Sequence, residues 1–233
     1  MSFHKKSDTL IIIPAYNEED NILKVVELSK KYADVCVVND NSSDRTYEIL
    51  KTINNIKIIN HKYTTHIPGA TLDGLIFANH ENYDYAITMD AGLSHDPNEI
   101  PLFMNFEHCD LLIGVRQKIV EKPIYRYFLT KVGNLIYNIS LNFPFSILKL
   151  NKYKDLTSGF RRFSKKSIQL ISKKKVNSKS YDMHLETVFQ IYKNKYHIQE
   201  VFISYYYSSS SINFKTVLDC IIFSLKVMFK LEK

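Results

Sequence analysis

Three short polar segments carry residue types suited to chemistry on a phosphorylated ligand. Pro14-Ala15-Tyr16-Asn17-Glu18 follows the apolar residues 10–13, Asn39-Asp40-Asn41-Ser42-Ser43-Asp44 follows 35–38, and Asp90-Ala91-Gly92-Leu93-Ser94-His95 follows 85–89. A carboxylate such as Asp40 can accept hydrogen bonds from a base or ribose. One such as Asp90 can hold a hard divalent cation, because Mg²⁺ takes one or two carboxylates together with phosphate oxygens. A lone Asp after a strand serves as a turn or cap residue just as readily; two such loops in this order say more. Neither GxGxxG nor GxxxxGK[ST] occurs, so dinucleotide, kinase and P-loop readings lose their main support.

The elements that must position these loops alternate. Residues 10–13, 35–38, 56–59, 85–89 and 111–114 are short apolar runs that read as buried strands, the first stopped by Pro14. Between them, Asn17-Glu18-Glu19-Asp20 reads as a cap and acid-rich first turn, followed by helices near 22–32, 46–53 and 70–79. Asp96-Pro97-Asn98-Glu99 reads as a further helix start, with Asp96 the N-cap and Glu99 the box acid. Helices over 129–143 and 182–193 and a strand over 197–207 complete the reading. Strand–helix alternation predicts an α/β fold with a mostly parallel sheet. In such sheets the ligand sits at the carboxyl ends of the strands, where all three polar loops fall.

The chain has 233 residues, enough for one domain with a small appendage, and Lys plus Arg exceeds Asp plus Glu, 31 to 24. That excess asks for an anionic partner. Residues 149–175 hold ten Lys or Arg against the single acid Asp155. No basic helix or aromatic-basic strand pattern points to nucleic acid. The cysteines Cys36, Cys109 and Cys220 form no CxxC pair, so buried reduced thiols are expected rather than zinc or disulfides. The opening apolar run is too short for a signal peptide, and a cytoplasmic address is expected.

Four motifs resemble the inverting family-2 glycosyltransferases with the GT-A fold. Ile13-Pro14-Ala15-Tyr16-Asn17-Glu18-Glu19 is similar to their opening motif, and Val38-Asn39-Asp40-Asn41-Ser42-Ser43-Asp44-Arg45-Thr46 resembles V-D-D-G-S-x-D-x-T. Met89-Asp90-Ala91-Gly92-Leu93-Ser94-His95-Asp96-Pro97 resembles the D-A-D-L-S-H-x-P of polyprenyl-phosphate mannose and glucose synthases, and Asp155-Leu156-Thr157-Ser158-Gly159-Phe160-Arg161 their D-x-T-x-x-F-R. Gly114-Val115-Arg116 matches G-x-R, and 183–186 sits where they carry Q-M-E.

The resemblance implies that Pro14, Ala15, Tyr16, Asn17 and Glu18 line the nucleotide, with Asp40 and Asn41 at the base or ribose. It implies that Asp90 faces a divalent cation (Mg²⁺ or Mn²⁺) and the diphosphate. Arg116 and Arg161 would bind donor diphosphate or acceptor phosphate, and Asp155 and Glu186 would lie near the acceptor. Two departures stand out. Gly92 replaces the second metal-motif acid, which implies either weaker cation binding or a replacement ligand from His95, Asp96 or Glu186, and Asn39 replaces the first Asp of the second loop. The plain alternative for Ser94-His95-Asp96 is a helix cap, and for Arg161-Arg162 a solvated basic face.

The implied reaction is a hexose transfer from a nucleotide-diphosphate sugar (GDP-mannose or UDP-glucose type) to a polyprenyl phosphate at a membrane surface. The alternatives are a hydroxyl acceptor in surface polysaccharide, lipopolysaccharide or glycolipid synthesis, and a sugar-nucleotide-binding pseudoenzyme. A lipid phosphate is already an anion, whereas a hydroxyl needs a general base, for which Asp155 or Glu186 would be the candidate.

The catalytic domain is expected over 1–210 and an amphipathic helix over 211–233. In that helix Lys215, Asp219, Lys226 and Lys230 fall within about 60° of one another on a wheel of ~100° per residue. Such a helix suits the cytoplasmic face of a membrane; packing on the domain or on a second copy in a homo-oligomer is the alternative.

Overall fold

The computed structural model describes residues 3–120, 124–143, 152–174, 178–206 and 214–229. Seven strands form one sheet: β1 (Thr9–Ala15), β2 (Asp34–Asn39), β3 (Lys57–Asn60), β4 (Tyr85–Thr88), β5 (Leu111–Val120), β6 (Arg161–Ser164) and β7 (Ile198–Tyr206), in the order β3-β2-β1-β4-β6-β5-β7. Pairing is parallel except at β6, which runs antiparallel between β4 and β5.

The helices are α1 (Ile22–Ser29), α2 (Thr46–Thr52), α3 (His66–His80), α4 (Ile100–Met104), α5 (Ile124–Asn142), α6 (Lys165–Ser172), α7 (Met183–Lys193) and α8 (Phe214–Met228). A 3₁₀ turn, Pro97–Glu99, precedes α4.

The central strands read as unbroken apolar runs because both faces are covered. Leu10, Ile12, Cys36 and Val38 pack with Ala70 and Leu75 of α3 and Val188 of α7. Ile11, Ile13, Val35 and Val37 point the other way, onto Val25 and Val26 of α1 and Phe103 of α4. Helix α3 lies so close to β1 that a Cβ on Gly74 would collide with Ile12.

Several local expectations change. Strand β1 continues through Pro14 to Ala15. Its pairing with β4 ends at Ile12, so the missing N–H of Pro14 faces no ladder partner. Helix α1 begins only at Ile22, with Asn21 at its N-cap and no acid in the first turn. Asn17 instead adopts a left-handed φ of 55° and accepts a hydrogen bond from the Ser43 amide at 2.8 Å. Asp96 does cap its turn, accepting from the Asn98 amide. Glu99 does not close a capping box: its carboxylate accepts from the Ser204 amide at 2.9 Å, tying the turn to β7.

Strand β6 and helix α6 lie where the sequence pattern shows only a basic stretch. Arg161 and Arg162 are each 1% exposed. Arg162 donates to carbonyls just past α4, and Arg161 to the loop immediately before the strand and to His184 of α7, so no apolar pattern marks the strand.

Candidate active site

The first two polar loops are knitted into one surface. The Asp40 amide donates to the Ala15 carbonyl, the Glu18 amide to Thr46 Oγ1 at 2.8 Å, and the Glu19 amide to Asp44 Oδ2 at 3.0 Å. This leaves Tyr16 half exposed at the strand ends. Burial, with Asp90 and other acids nearby, raises the Glu18 carboxyl above its ordinary value despite a hydrogen bond from Asn21.

Asp40 is turned inward, at 3% exposure. Its Oδ1 takes the Thr65 amide and hydroxyl, both at 2.8 Å, and meets His61 Nδ1 at 2.7 Å, while Oδ2 takes the His66 amide at 2.7 Å. The carboxylate therefore anchors the start of α3. Asn39 is also buried and bonded to Asn60 and Ser42. Asn41 holds a left-handed φ of 61° between them. The surface open to a ligand here is thus backbone, Tyr16 and Asn41, rather than the Asp40 carboxylate.

Asp90 lies two residues past the end of β4 with its side chain 56% exposed. Its backbone amide donates to His95 Nδ1 at 3.2 Å. The Asp90 carboxylate stands 3.5 Å from that same nitrogen, but Nδ1 is already an acceptor and has no proton to offer. Burial drives the His95 pKa below its ordinary value. The ring is 1% exposed and packs against Phe160 and Tyr205. His95 Nδ1 therefore fixes the Asp90 loop.

A residue that the motifs do not single out, His184, lies across from Asp90. A Cβ built on Gly159 would lie 3.3 Å from Asp90 Oδ1 and 3.6 Å from His184 Nε2, so both donors border the same gap. Burial first, then the Arg161 and Arg116 charges, hold the His184 imidazole well below its ordinary pKa and so neutral. The only available signal in the sequence is its place in the 183–186 segment. Among the described residues no three His, Cys, Asp or Glu side chains gather as a ready metal cage. Asp90 and His184 suit a cation that takes its remaining ligands from phosphate and water.

Asp155 and Arg116 form a buried fork. Arg116 Nε donates to Asp155 Oδ2 at 2.7 Å and Nη2 to Oδ1 at 2.8 Å, with the guanidinium 5.2 Å from the Tyr205 ring centre. The Thr157 hydroxyl adds a bond to Oδ1 at 2.8 Å. Burial would raise the Asp155 carboxyl, but Arg116 and Thr157 overcome this and hold it below the usual carboxylate range. Two side chains not singled out by sequence hold this segment. Glu200 accepts from the Lys154 and Asp155 amides, and Asn134 of α5 bonds the Tyr153 and Lys154 carbonyls and the Leu156 amide.

Arg161 and Glu186 are brought near the site but not to its surface. Arg161 donates to the carbonyls of Leu156 (2.6 Å), Ser158 (2.8 Å) and His184 (2.9 Å) and to Thr187 Oγ1 (2.8 Å). Glu186 is 5% exposed and accepts from the Ser178 amide at 3.0 Å. Arg162 faces away, donating to the carbonyls of Phe106 (3.0 Å) and Glu107 (2.9 Å) just past α4. The solvated basic face that stood as the alternative at Arg161-Arg162 is therefore not present: the pair is a buried clamp. Lys152 and Lys154 remain exposed and border a groove of ≈ 960 Å³ with Lys193, Lys195, Tyr192 and Tyr196.

Residues 10–171 match the glycosyl transferase family 2 description, and the chain belongs to that family. It is 30% identical over 225 residues to a UDP-N-acetylglucosamine–dolichyl-phosphate N-acetylglucosaminyltransferase of Methanococcus voltae, covering 87% of each chain. It is 27% identical over 208 residues to an undecaprenyl-phosphate mannosyltransferase of Micrococcus luteus, covering 84% of this chain and 82% of that one. The fold matches glucosyl-3-phosphoglycerate synthase of Mycobacterium tuberculosis with a TM-score of 0.70 at 13% identity, over 97% of this chain and 81% of that one. The GT-A-like architecture expected from the motifs is thus present.

Proposed function

We propose that this glycosyltransferase moves a hexose from a nucleotide-diphosphate sugar to a polyprenyl-phosphate lipid, with inversion at the anomeric carbon. The phosphate oxygen of the acceptor forms the new bond to that carbon. The bond to the donor diphosphate breaks, and the nucleoside diphosphate leaves with the electron pair. Two relatives that align along most of their length are named for dolichyl- and undecaprenyl-phosphate acceptors.

The observation that carries the choice of acceptor is the state of the expected bases. A hydroxyl acceptor needs a carboxylate free to take its proton. Asp155 is locked in the Arg116 fork with a lowered pKa, and Glu186 is buried on an amide. An anionic lipid phosphate needs neither.

In this reading Pro14, Ala15, Tyr16, Asn17, Glu18 and Asn41 line the nucleotide, and Asp40 acts through the loop it anchors. Asp90, with His184 across the Gly159 gap, would hold a divalent cation. The structural neighbour carries Mn²⁺ together with UDP in its crystals. When bound, such an ion supplies positive charge against the leaving diphosphate. Arg116 orients Asp155 and with it the 155–159 segment, while Arg161 braces that segment from beneath. The site then works at the cytoplasmic face of a membrane, with α8 beside it; among the described residues no helix is long and apolar enough to cross one.

The test is purified protein with labelled nucleotide sugars and a polyprenyl phosphate. Transfer supports the reading. Absence of transfer with every donor, while a sugar hydroxyl is glycosylated, rejects it.

A further inference from the structure

The groove of ≈ 960 Å³ lies between residues 152–154, the end of α7 and the start of β7. It is set apart from the polar loops. Ile198 pairs with Leu111, Leu111 with Phe163, and Phe163 with Ala86, so the start of β7 is level with the start of β4 and not with Asp90 beyond its end. The charge of the groove is one-sided. Lys152, Lys154, Lys193 and Lys195 line it against the single acid Glu200. That acid is turned inward, accepting through Oε1 from the Lys154 and Asp155 amides at 2.7 Å and 3.1 Å. Among the described residues, Lys154, Lys193 and Lys195 form no ion pair.

The plain explanation is that lysines suit the C-terminal end of a helix. It covers Lys193, in the last turn of α7, and Lys195, just past it. It does not cover Lys152 and Lys154, which belong to a separate segment. Aromatic rings hold these two over the groove: the Lys152 ammonium lies 4.5 Å from the Tyr192 ring centre, and that of Lys154 4.5 Å from that of Phe202. Stems laid on rings keep the charged heads toward water and lower the entropic cost of using them. Lys195 holds a left-handed φ of 59°, at a position that Gly or Asn usually takes. A cleft lined by one sign of charge concentrates counter-ions.

We propose that this groove is a second ligand site, taking a compact, multiply charged phosphate anion of the pyrophosphate or polyphosphate class. Ammonium groups bind phosphate as point charges, whereas the planar fork that matches a carboxylate belongs to arginine, and among the described residues no Arg lines the groove. The lysines exceed the acid by three charges, which a single carboxylate leaves largely unmatched. The proposal stands apart from the acceptor assigned above. It also has a route to the site. Lys154 precedes Asp155 in the chain and Glu200 holds both amides, so an anion seated on Lys154 bears on the segment that carries the Arg116 fork.

The experiment is titration calorimetry of inorganic tripolyphosphate into the full chain at pH 7.5 in EDTA, which keeps a cation-dependent diphosphate site empty. Wild type is compared with a groove pair (Lys154→Gln, Lys193→Gln) and a control pair (Lys24→Gln, Lys51→Gln) that loses the same charge on α1 and α2. The groove pair is expected to bind at least about tenfold more weakly, or about 1.4 kcal/mol. The control pair should change by less than about threefold, because charges beyond a Debye length are screened. Glu200→Gln keeps an oxygen for the two amides and removes the only acid, so it should bind more tightly. The groove pair alters only exposed side chains and keeps the test valid if Glu200→Gln changes the melt.

Equal loss in the two pairs overturns the site, because net charge alone then explains binding. Binding that appears only with Mn²⁺ overturns it as well. A hexaglutamate peptide that binds the groove more tightly than tripolyphosphate overturns the phosphate class and makes the groove a seat for an acidic protein segment. Vesicles containing phosphatidic acid separate a lipid-borne phosphate from a soluble one. Vesicle binding that is unchanged in the groove pair, with tripolyphosphate binding lost, supports the soluble anion. Vesicle binding lost in that pair, with no tripolyphosphate bound by wild type, overturns it.

Discussion

Replacing Asp155 with Asn removes one charge and leaves the shape of the Arg116 fork nearly unchanged. The carboxylate receives Arg116 Nε at 2.7 Å, Arg116 Nη2 at 2.8 Å and the Thr157 hydroxyl at 2.8 Å. The side chains of Arg116 and Asp155 are only 12% and 7% exposed, so water cannot replace what is lost. An Asn has one acceptor oxygen, and its NH₂ must face either Nε or Nη2, donor against donor. The guanidinium is then a buried cation without a counterion, a loss of about 3–5 kcal/mol. At roughly 2–4 °C per kcal/mol for a chain of this size, Asp155→Asn should melt on the order of 10 °C lower.

The pH dependence has a definite sign. The folded-state pKa of Asp155 lies below its unfolded value. Its stabilisation is therefore present above the unfolded pKa, about 3.9, and is lost as pH falls through the folded one. The gap in melting temperature between wild type and Asp155→Asn should be full at neutral pH and shrink only at strongly acidic pH. A melting point within about 2 °C of wild type at pH 7 would refute the fork as a buried, paired unit. So would a gap that closed near pH 6.

Asp90→Asn should lower turnover by at least about 100-fold, a typical size for lost charge stabilisation, while leaving the melting point near wild type because the side chain is half exposed; radiolabel transfer and calorimetry read the two. A nucleotide-binding pseudoenzyme would lose affinity at most. Gly159→Ala places a methyl 3.3 Å from Asp90 Oδ1 and 3.5 Å from His184 Cε1, so it should weaken the cation-dependent part of thermal stabilisation by nucleotide sugars and spare the cation-independent part. Arg161→Lys discards most of the four hydrogen bonds of a buried guanidinium, at about 1 kcal/mol each. Chemical denaturation should show the loss, whereas donor KM should stay within about threefold, because the group does not reach the surface.

The parts of the fold that are legible in the sequence are those where local pattern and burial agree. The apolar runs around Ile12, Val37, Ile87 and Leu112 are strands because both faces of the sheet are covered, and they are fully buried as that pattern requires. Strand β6 is hidden because its sequence, Arg-Arg-Phe-Ser, looks solvated unless the carbonyls of Phe106, Glu107, Leu156 and Ser158 are already in place. Phe106 and Glu107 lie on a separate segment and Leu156 and Ser158 in the loop just before the strand, and no period in the sequence encodes such contacts. The same limit applies to the helix start at Asn17, where a bond to Ser43 replaces the cap.

The site divides along the same line. Motif order singles out Asp90, Asp155 and Arg116, but residue type alone does not say whether a charged group faces ligand or neighbour. Asp40, Arg161 and Glu186 are all candidates for direct contact by type, and each commits its hydrogen-bonding capacity to backbone or side chains of its own chain. This matters for the reaction as well as for the reading. A site whose Arg and Asp side chains hold one another gains rigidity and gives up free bases. The substrate best served by such a site brings its own negative charge as the nucleophile. The positive charge of the chain is divided accordingly. Arg116, Arg161 and Arg162 are engaged internally, so the excess that remains for an anionic surface is carried by exposed lysines such as Lys154, Lys173 and Lys174.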